Sequence, residues 1–208
     1  MNKQSSLQPF AEVVESKLTY LIAQCWQWDV TPTFGSLVSI AGKESTLIGI
    51  VSSIETGSMD PMRYPFPYQK TEEELKRDHP QIFDFLKTTF TATIIGYQDK
   101  EHKVAYTIPP LPAKIHSFVS PISSDTAASF FQSPDFLPLL FAAQETPHIT
   151  DELFLSLIGE MAQRNVLSVQ LFKTYYKTFS LLTGNDYRRL KLLMQRVTTK
   201  HAKLLVGL

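Results

Sequence analysis

Five short apolar segments, rich in Val, Ile, Thr and Tyr, dominate the first half of this 208-residue chain. They cover residues 10–14, 18–23, 36–40, 46–54 and 90–97, and each is bounded by Gly, Pro, Asp or a charged residue. Segments of this length and composition, separated by turn-forming residues, are typical of strands in a barrel or a sandwich. We therefore predict that residues 1–120 form a small closed β-barrel.

A glycine interrupts the longest of these apolar segments. Gly49 lies between Ile48 and Ile50, where a strand would ordinarily carry a side chain that packs. Glycine inside a strand indicates a bulge or a close approach of another backbone. We expect one of these two features at Gly49.

Residues 58–89 form an insertion between two of the predicted strands. Three prolines between residues 58 and 68 exclude regular structure there. Thr71 and Glu74 then have the spacing of a capping box, which predicts a helix over residues 72–78. Pro80 is suited to the first turn of a second helix, predicted over residues 81–87.

The proline-rich segment of the insertion carries the candidate partner-binding residues. These are Met62, Arg63, Tyr64, Phe66 and Tyr68. Aromatic residues, Met and Arg are enriched at the centres of protein interfaces, and an Arg beside a Tyr is a typical hot-spot pair. The alternative is that the rings fold over the barrel and are buried as a plug. The sequence leaves both interpretations open.

Residues 121–208 are predicted to be entirely helical. Apolar residues recur at helical spacing behind N-terminal capping residues, which predicts helices over residues 126–132, 136–143, 151–164, 169–183 and 186–206. The chain is therefore expected to be an α+β protein, with a barrel domain of residues 1–120 and a helical domain of residues 121–208.

Charge is unevenly distributed although the formal net charge is zero. Residues 161–208 hold nine Lys and Arg against a single acidic residue, Asp186. Six of the cations are candidates for binding an anion or nucleic acid: Lys173, Lys177, Arg189, Arg196, Lys200 and Lys203. The last four share one face of the predicted final helix. The alternative is a solvated face that pairs with the acidic β-region, since residues 1–160 hold 19 Asp and Glu against 11 Lys and Arg.

The residues that support common kinds of catalysis are not arranged in recognisable patterns. The five histidines have no metal-ligand spacing, and Gly42-Lys43 is followed by Glu44, which would repel a phosphate. No Gly-x-Ser-x-Gly motif is present. We predict no catalytic residue, no metal and no cofactor, and a hydrolase with an unfamiliar site is kept as a minor alternative.

The predicted location is the cytoplasm. Cys25 is the single cysteine, so no intramolecular disulfide can form, which fits a reducing compartment. Residues 1–6 lead into no apolar segment, and no run approaches the roughly 18 apolar residues that span a bilayer. We therefore expect no association with a membrane.

The first half of the chain resembles a known family. Residues 10–23, 34–40 and 47–51, with Gly35-Ser36-Leu37-Val38 followed by Gly49-Ile50-Val51, are similar to the HAS-barrel. That module is the N-terminal barrel of HerA-type hexameric DNA-translocating ATPases and of the catalytic subunits of rotary ATP synthases. The exit Pro109-Pro110-Leu111-Pro112 resembles the linker from that barrel to the ATPase core.

The resemblance implies an assembly role and no ATPase activity. In the family the barrel packs side by side in a ring and meets partner proteins, but here no Walker motif follows the barrel. The expected function is a non-enzymatic adaptor or assembly protein, with a HerA-like ring ATPase as a candidate partner. The alternative is a nucleic-acid-binding accessory protein that uses the basic helices. Homo-oligomerisation is left open.

Overall fold

The computed structural model describes residues 8–60, 62, 65–144 and 147–201, with the side chains of Lys200 and His201 excepted. Its strands are β1 (Ala11–Ser16), β2 (Tyr20–Cys25), β3 (Leu37–Ala41), β4 (Ser45–Ser58), β5 (Leu86–Asp99), β6 (Val104–Ala105) and β7 (Phe118–Pro121). Its helices are α1 (Glu72–Asp78), α2 (Ser124–Phe130), α3 (Leu137–Ala143), α4 (Pro147–Gln163), α5 (Val169–Leu182) and α6 (Tyr187–His201).

Six of the strands form a closed barrel. The sheet order is β2-β1-β7-β3-β4-β5, and β2 also pairs with β5, which closes the ring. All pairings are antiparallel, and β6 extends the sheet beyond the ring by pairing with β5. The predicted small barrel is therefore confirmed, as is the helical region that follows it. The sequence did not indicate β6 or β7, although β7 joins β1 to β3.

The barrel interior is filled by small and branched apolar side chains. Alternate residues of β1 and β2 point inward, among them Val13 and Leu21, both fully buried. The ring of Phe90 is the largest side chain of this cluster, and Phe10 stacks on it at 5.7 Å between ring centroids. Alternating burial along each strand places one set of side chains in this core.

The outer face of β3, β4 and β5 packs against the helical region. Leu37, Ile48, Ile50 and Ile95 belong to one buried cluster with residues of all the helices from α2 to α6. Because β4 is covered on both faces here, its apolar run is continuous rather than alternating. The division into two domains at residue 120 stays a prediction, since the helices share a core with the barrel wall.

The expectation for Gly49 is confirmed. The register of β4 against β5 shifts between Ile48 and Gly49, which marks a bulge. A Cβ atom at this position would lie 3.2 Å from the Cβ atom of Ala92. The absence of a side chain therefore lets the two strands approach closely.

Several predicted bounds differ in the structure. The insertion predicted over residues 58–89 is shorter, because β4 runs to Ser58 and β5 already begins at Leu86. Pro80 begins a 3₁₀ helix, Pro80–Phe85, rather than the predicted α-helix over residues 81–87, because Leu86 already has an extended backbone and starts β5. The helix α4 begins at Pro147, one turn before the predicted start.

None of the helices in the described part of the chain combines the length and the apolar character needed to cross a bilayer.

Candidate functional site

The hairpin of β4 and β5 extends past the barrel as an arm. The strand β3 pairs with β4 only as far as Ile50, and β2 pairs with β5 only as far as Thr89. The two long strands remain paired with each other up to Ser58 and Leu86. We call the arm the stretch of the hairpin where β3 no longer covers β4, residues 53–58 of β4 with their partners 86–91 of β5; on the β5 side, only residues 86–88 lie past the last pair with β2. Residues 59–85 connect the two strands, and we call this connection the tip.

Contacts at the base hold the tip on the arm. The backbone N–H of Met59 donates to the carbonyl of Phe85 at 2.7 Å, which closes the insertion. The ring of Trp28, in the loop after β2, stacks on Phe83 at 5.6 Å. The hydroxyl of Thr88 donates to the carbonyl of Trp28 at 2.5 Å. The loop after β2 therefore supports the tip from the barrel side.

The helix α1 begins at the predicted capping box. The side chain of Thr71 accepts from the backbone N–H of Glu74 at 3.3 Å, and the carboxylate of Glu74 accepts from the backbone N–H of Thr71 at 2.8 Å. The backbone N–H and then the hydroxyl of Thr71 donate to this carboxylate, which favours its ionised form and lowers the pKa of Glu74. The start of α1 is therefore fixed locally.

The end of α1 is tied to the segment before it. The carboxylate of Asp78 accepts from Nε of Arg77 and from Nζ of Lys70, at 2.8 and 2.9 Å. Hydrogen bonds from Arg77 and then Lys70 lower the pKa of Asp78 to about 2. This carboxylate therefore stays ionised and acts as a brace, not as an acid.

Exposed apolar side chains gather at the tip. Met62 and Phe66 are 90% and 72% exposed, and Met59, Tyr68 and Phe85 are also exposed. The rings of Phe66 and Tyr68 meet edge to face with their centroids 5.7 Å apart. We call these five residues the tip cluster. Isolated exposed apolar residues are ordinary, whereas a group of them indicates an interaction surface.

The predicted partner-binding residues divide into two groups. Met62, Phe66 and Tyr68 are exposed at the tip, so the alternative that these side chains form a buried plug is wrong. Arg63 and Tyr64 lie outside the described residues. Phe85 was expected to be an apolar residue of a second helix, and it instead joins the tip cluster.

A cavity of about 810 Å³ lies beside the tip cluster. Apolar lining comes from Phe66, Tyr68, Leu75, Ile82 and Phe83, and polar groups of Ser58, Asp60 and Lys70 are at its boundary. Concave apolar sites of this size with a few polar groups are typical of binding sites. The cavity and the exposed rings form one continuous surface, because Phe66, Tyr68 and Phe85 belong to both.

Two of the six predicted anion-binding cations are held by carboxylates. The guanidinium of Arg189 donates to both oxygens of Asp151, at 2.5 to 3.0 Å, and to the carbonyl of Pro147 at 3.1 Å. Arg196 donates to both oxygens of Glu152, at 2.6 and 2.9 Å. These arginines therefore fasten α6 to α4, within the helical region and not to the β-region.

The other four predicted cations are all lysines. Lys173 and Lys177 are exposed on α5, four residues apart. Lys200 lies in α6, but its side chain is outside the described residues, as is the whole of Lys203. The anion-binding surface therefore remains a prediction that rests on lysines alone.

Groups suited to catalysis do not converge in the described ranges. No set of three or more His, Cys, Asp or Glu residues there could hold a metal ion. The thiol of Cys25 is buried in the barrel, and desolvation raises its pKa to about 11. A thiol in this state is a poor nucleophile at neutral pH.

Sequence reasoning missed part of the tip. Trp28 was not singled out, because its stacking partner Phe83 lies 55 positions away and no local pattern joins the two. The only available signal was composition, since Trp in a loop often marks a contact.

A search against protein-family models and a search of curated proteins each return no match.

Proposed function

We propose that this chain is a non-enzymatic adaptor or assembly protein that binds a protein partner through the tip of its β4–β5 arm. The observation that carries the proposal is the tip cluster. Its five apolar side chains are exposed on one insertion, three of them (Phe66, Tyr68 and Phe85) line the same cavity, and Trp28 stacks on Phe83 at the base.

The architecture adds support for an assembly role. A six-stranded antiparallel barrel followed by helices is compatible with the resemblance to the HAS-barrel. We propose on that basis a free-standing HAS-barrel-like protein, and a HerA-like ring ATPase is the first partner to test. The barrel would then act as the platform from which the arm projects.

The test is quantitative affinity purification with a matched control. Tagged wild-type protein, Phe66→Ala and Phe118→Ala are each used to capture proteins from the native host, and the captured proteins are measured by mass spectrometry. Phe118 is a suitable control because it is 53% exposed and lies on β7, outside the tip. We expect one or a few proteins to be captured by the wild type and Phe118→Ala and lost with Phe66→Ala.

Two results would contradict the proposal. Equal capture by all three proteins would remove the tip from binding. Loss of capture only with Phe118→Ala would move the interface to the opposite part of the barrel wall. Thermal melting of each variant excludes unfolding as the cause.

The alternative function, nucleic-acid binding by the basic helices, has weaker support than partner binding at the tip. Pairing of Arg189 and Arg196 with carboxylates leaves Lys173 and Lys177 as its described cations. Fluorescence anisotropy with labelled DNA and RNA across a salt series tests it. Binding that weakens steeply as salt rises supports phosphate contacts, and no binding at low salt excludes them.

A further inference from the structure

No strand of the described ranges lies beside the β4 edge of the arm. In an antiparallel pair, the backbone groups of successive residues point alternately toward and away from the partner strand. The N–H of Met59 points to β5, because it donates to Phe85. The register is uninterrupted from Ser53 to Ser58. The N–H and C=O groups of Ile54, Thr56 and Ser58 therefore point away from β5.

The orientation of Val51 agrees with this pattern once a bulge is counted. Both backbone groups of Val51 point away from β5: its N–H donates to the carbonyl of Ser36 at 3.0 Å, and its C=O accepts from the N–H of Gly35 at 2.8 Å. The bulge between Val51 and Ser53 adds one residue to β4, so the outward backbone groups belong to even positions after the bulge and to odd positions before it. The segment around Gly35 thus covers β4 at Val51 and no further.

The outward backbone groups beyond Val51 lack hydrogen-bond partners within the described part of the chain. The backbone groups of Ile54, Thr56 and Ser58 on this side bond to none of the described residues. Open strand edges are templates for pairing with another chain, and proteins usually blunt them with charged side chains, Pro, a bulge or a covering segment. Residues 53–58 contain no Pro, Glu55 is their single charged residue, and the bulge lies before them, between Val51 and Ser53.

The open edge leads directly to the cavity at the tip. Ser58, its last outward residue, also lines the cavity, as does Asp60. A strand laid along Ile54, Thr56 and Ser58 would cover roughly 13 Å, since each residue of a strand advances about 3.3 Å. Its end would then reach the apolar lining beside Phe66.

Charge indicates what kind of strand fits. Glu55 is exposed on this edge and makes no ion pair among the described residues. An opposing strand that carries Lys or Arg would pair with it, because opposite charges across strands stabilise. A second copy of the chain fits less well, since its own open edge would bring a second Glu55 into the same short strand pair.

We infer that the partner supplies an extended segment that pairs as an added strand with the open edge of β4, with a basic residue opposite Glu55 and an apolar residue in the tip cavity. This inference rests on the proposed function and names how the partner is recognised. Main-chain hydrogen bonds give such a complex its affinity, and the side chains at alternate positions give it specificity.

The experiment uses peptides as probes of the full chain. Random 12-residue peptides displayed on phage are selected against the wild type, and the tightest binder is synthesised with a fluorophore. Its affinity is measured by fluorescence polarisation for the wild type, Thr56→Pro, Thr56→Val and Phe66→Ala. Proline removes the outward N–H of Thr56 and is tolerated on a strand edge, whereas valine keeps that N–H and loses only the hydroxyl bond to Thr88.

We expect Thr56→Pro to weaken binding by about tenfold or more and Thr56→Val by less than about twofold, on the scale of one or two lost hydrogen bonds. In the wild type, amide exchange by NMR should slow at Ile54, Thr56 and Ser58 when the peptide binds. This measurement decides the outcome even if Thr56→Pro unfolds.

Other outcomes overturn the inference in distinguishable ways. In one outcome, Phe66→Ala abolishes peptide binding, Thr56→Pro does not, and the peptide protects none of the three amides. That result removes edge pairing and leaves the tip as the docking site. A peptide that neither variant affects removes both. Failure to select any peptide also overturns edge pairing. If the wild type is a dimer and Thr56→Pro is a monomer, a second copy of the chain occupies the edge instead of a partner segment.

Discussion

The two halves of the β4–β5 hairpin have the same strands and opposite environments. In residues 47–51, β4 lies between the barrel interior on one face and the helical region on the other. Beyond Val51 the same strand has an open edge, and the insertion at its end exposes Met62 and Phe66. The first half is buried and stabilises the fold, while the second half contributes exposed surface.

The difference shows how one element can serve stability and binding at once. Gly35 and Ser36 cover the backbone of β4 at Val51, which marks the boundary between the two halves. A substitution before this boundary should act on folding, and a substitution after it should act on binding.

The largest effect is expected in the buried half. Ile48 is fully buried, so Ile48→Ala should lower the free energy of unfolding by about 2–5 kcal/mol. Phe66→Ala, at the exposed tip, should change it by less than about 0.5 kcal/mol. Urea denaturation of both variants measures the difference. Similar losses for the two would contradict the division.

The boundary itself is tested with a pair of glycines. Gly35 has a φ of +77°, and a Cβ atom there would lie 2.2 Å from the Cβ atom of Ser156 on α4. Gly184 has a φ of +66° with open space around it. Gly184→Ala should cost about 1–2 kcal/mol from backbone strain alone. Gly35→Ala should cost about 1–3 kcal/mol more, because the side chain also overpacks the contact with α4. Equal costs in thermal or urea unfolding would show that α4 does not press on this turn.

A smaller effect is expected where α6 is fastened to α4. The pair of Arg189 and Asp151 is about one-fifth exposed, so Arg189→Ala should lower the free energy of unfolding by about 1–3 kcal/mol. Arg196 is half exposed, and Arg196→Ala should cost only about 0.2–1 kcal/mol. Unfolding in low and high salt provides the check, since the exposed pair should be more sensitive to screening. The reverse order would contradict the geometry.

The smallest effect is expected from the brace at the tip. The folded-state pKa of Asp78 is about 2, below its ordinary value near 3.8. The contribution of this carboxylate is therefore present above the unfolded pKa and is lost as the pH falls toward 2. Carbon-detected NMR of the carboxyl group should give a midpoint of about 2, and Arg77→Gln should raise it. A wild-type midpoint near 3.8 would show that the brace is not formed.

The sequence predicted the barrel better than the arm. The central strands carry apolar residues that match their burial, so their periodicity is visible. Glu55, Thr56, Gly57 and Ser58 bury no apolar face, and their extended backbone comes from pairing with β5 alone. The strand β7 has four residues and ends at Pro121, too short for a local signal.

The helical region shows the same limit for charged residues. Arg189 and Arg196 were predicted to share a face of one helix, and both do point toward α4. Their partners, Asp151 and Glu152, are about 40 positions earlier, and only tertiary packing brings them together. Local spacing therefore identified the face but not what covers it.

The most direct test of the central claim is photo-cross-linking from the tip in cells of the native host. Benzoylphenylalanine is introduced in place of Phe66 in one protein and in place of Phe118 in another, and adducts are identified after irradiation. The account predicts a discrete protein adduct from position 66 and none of that protein from position 118. No adduct from position 66, together with a protein adduct from position 118, would contradict it.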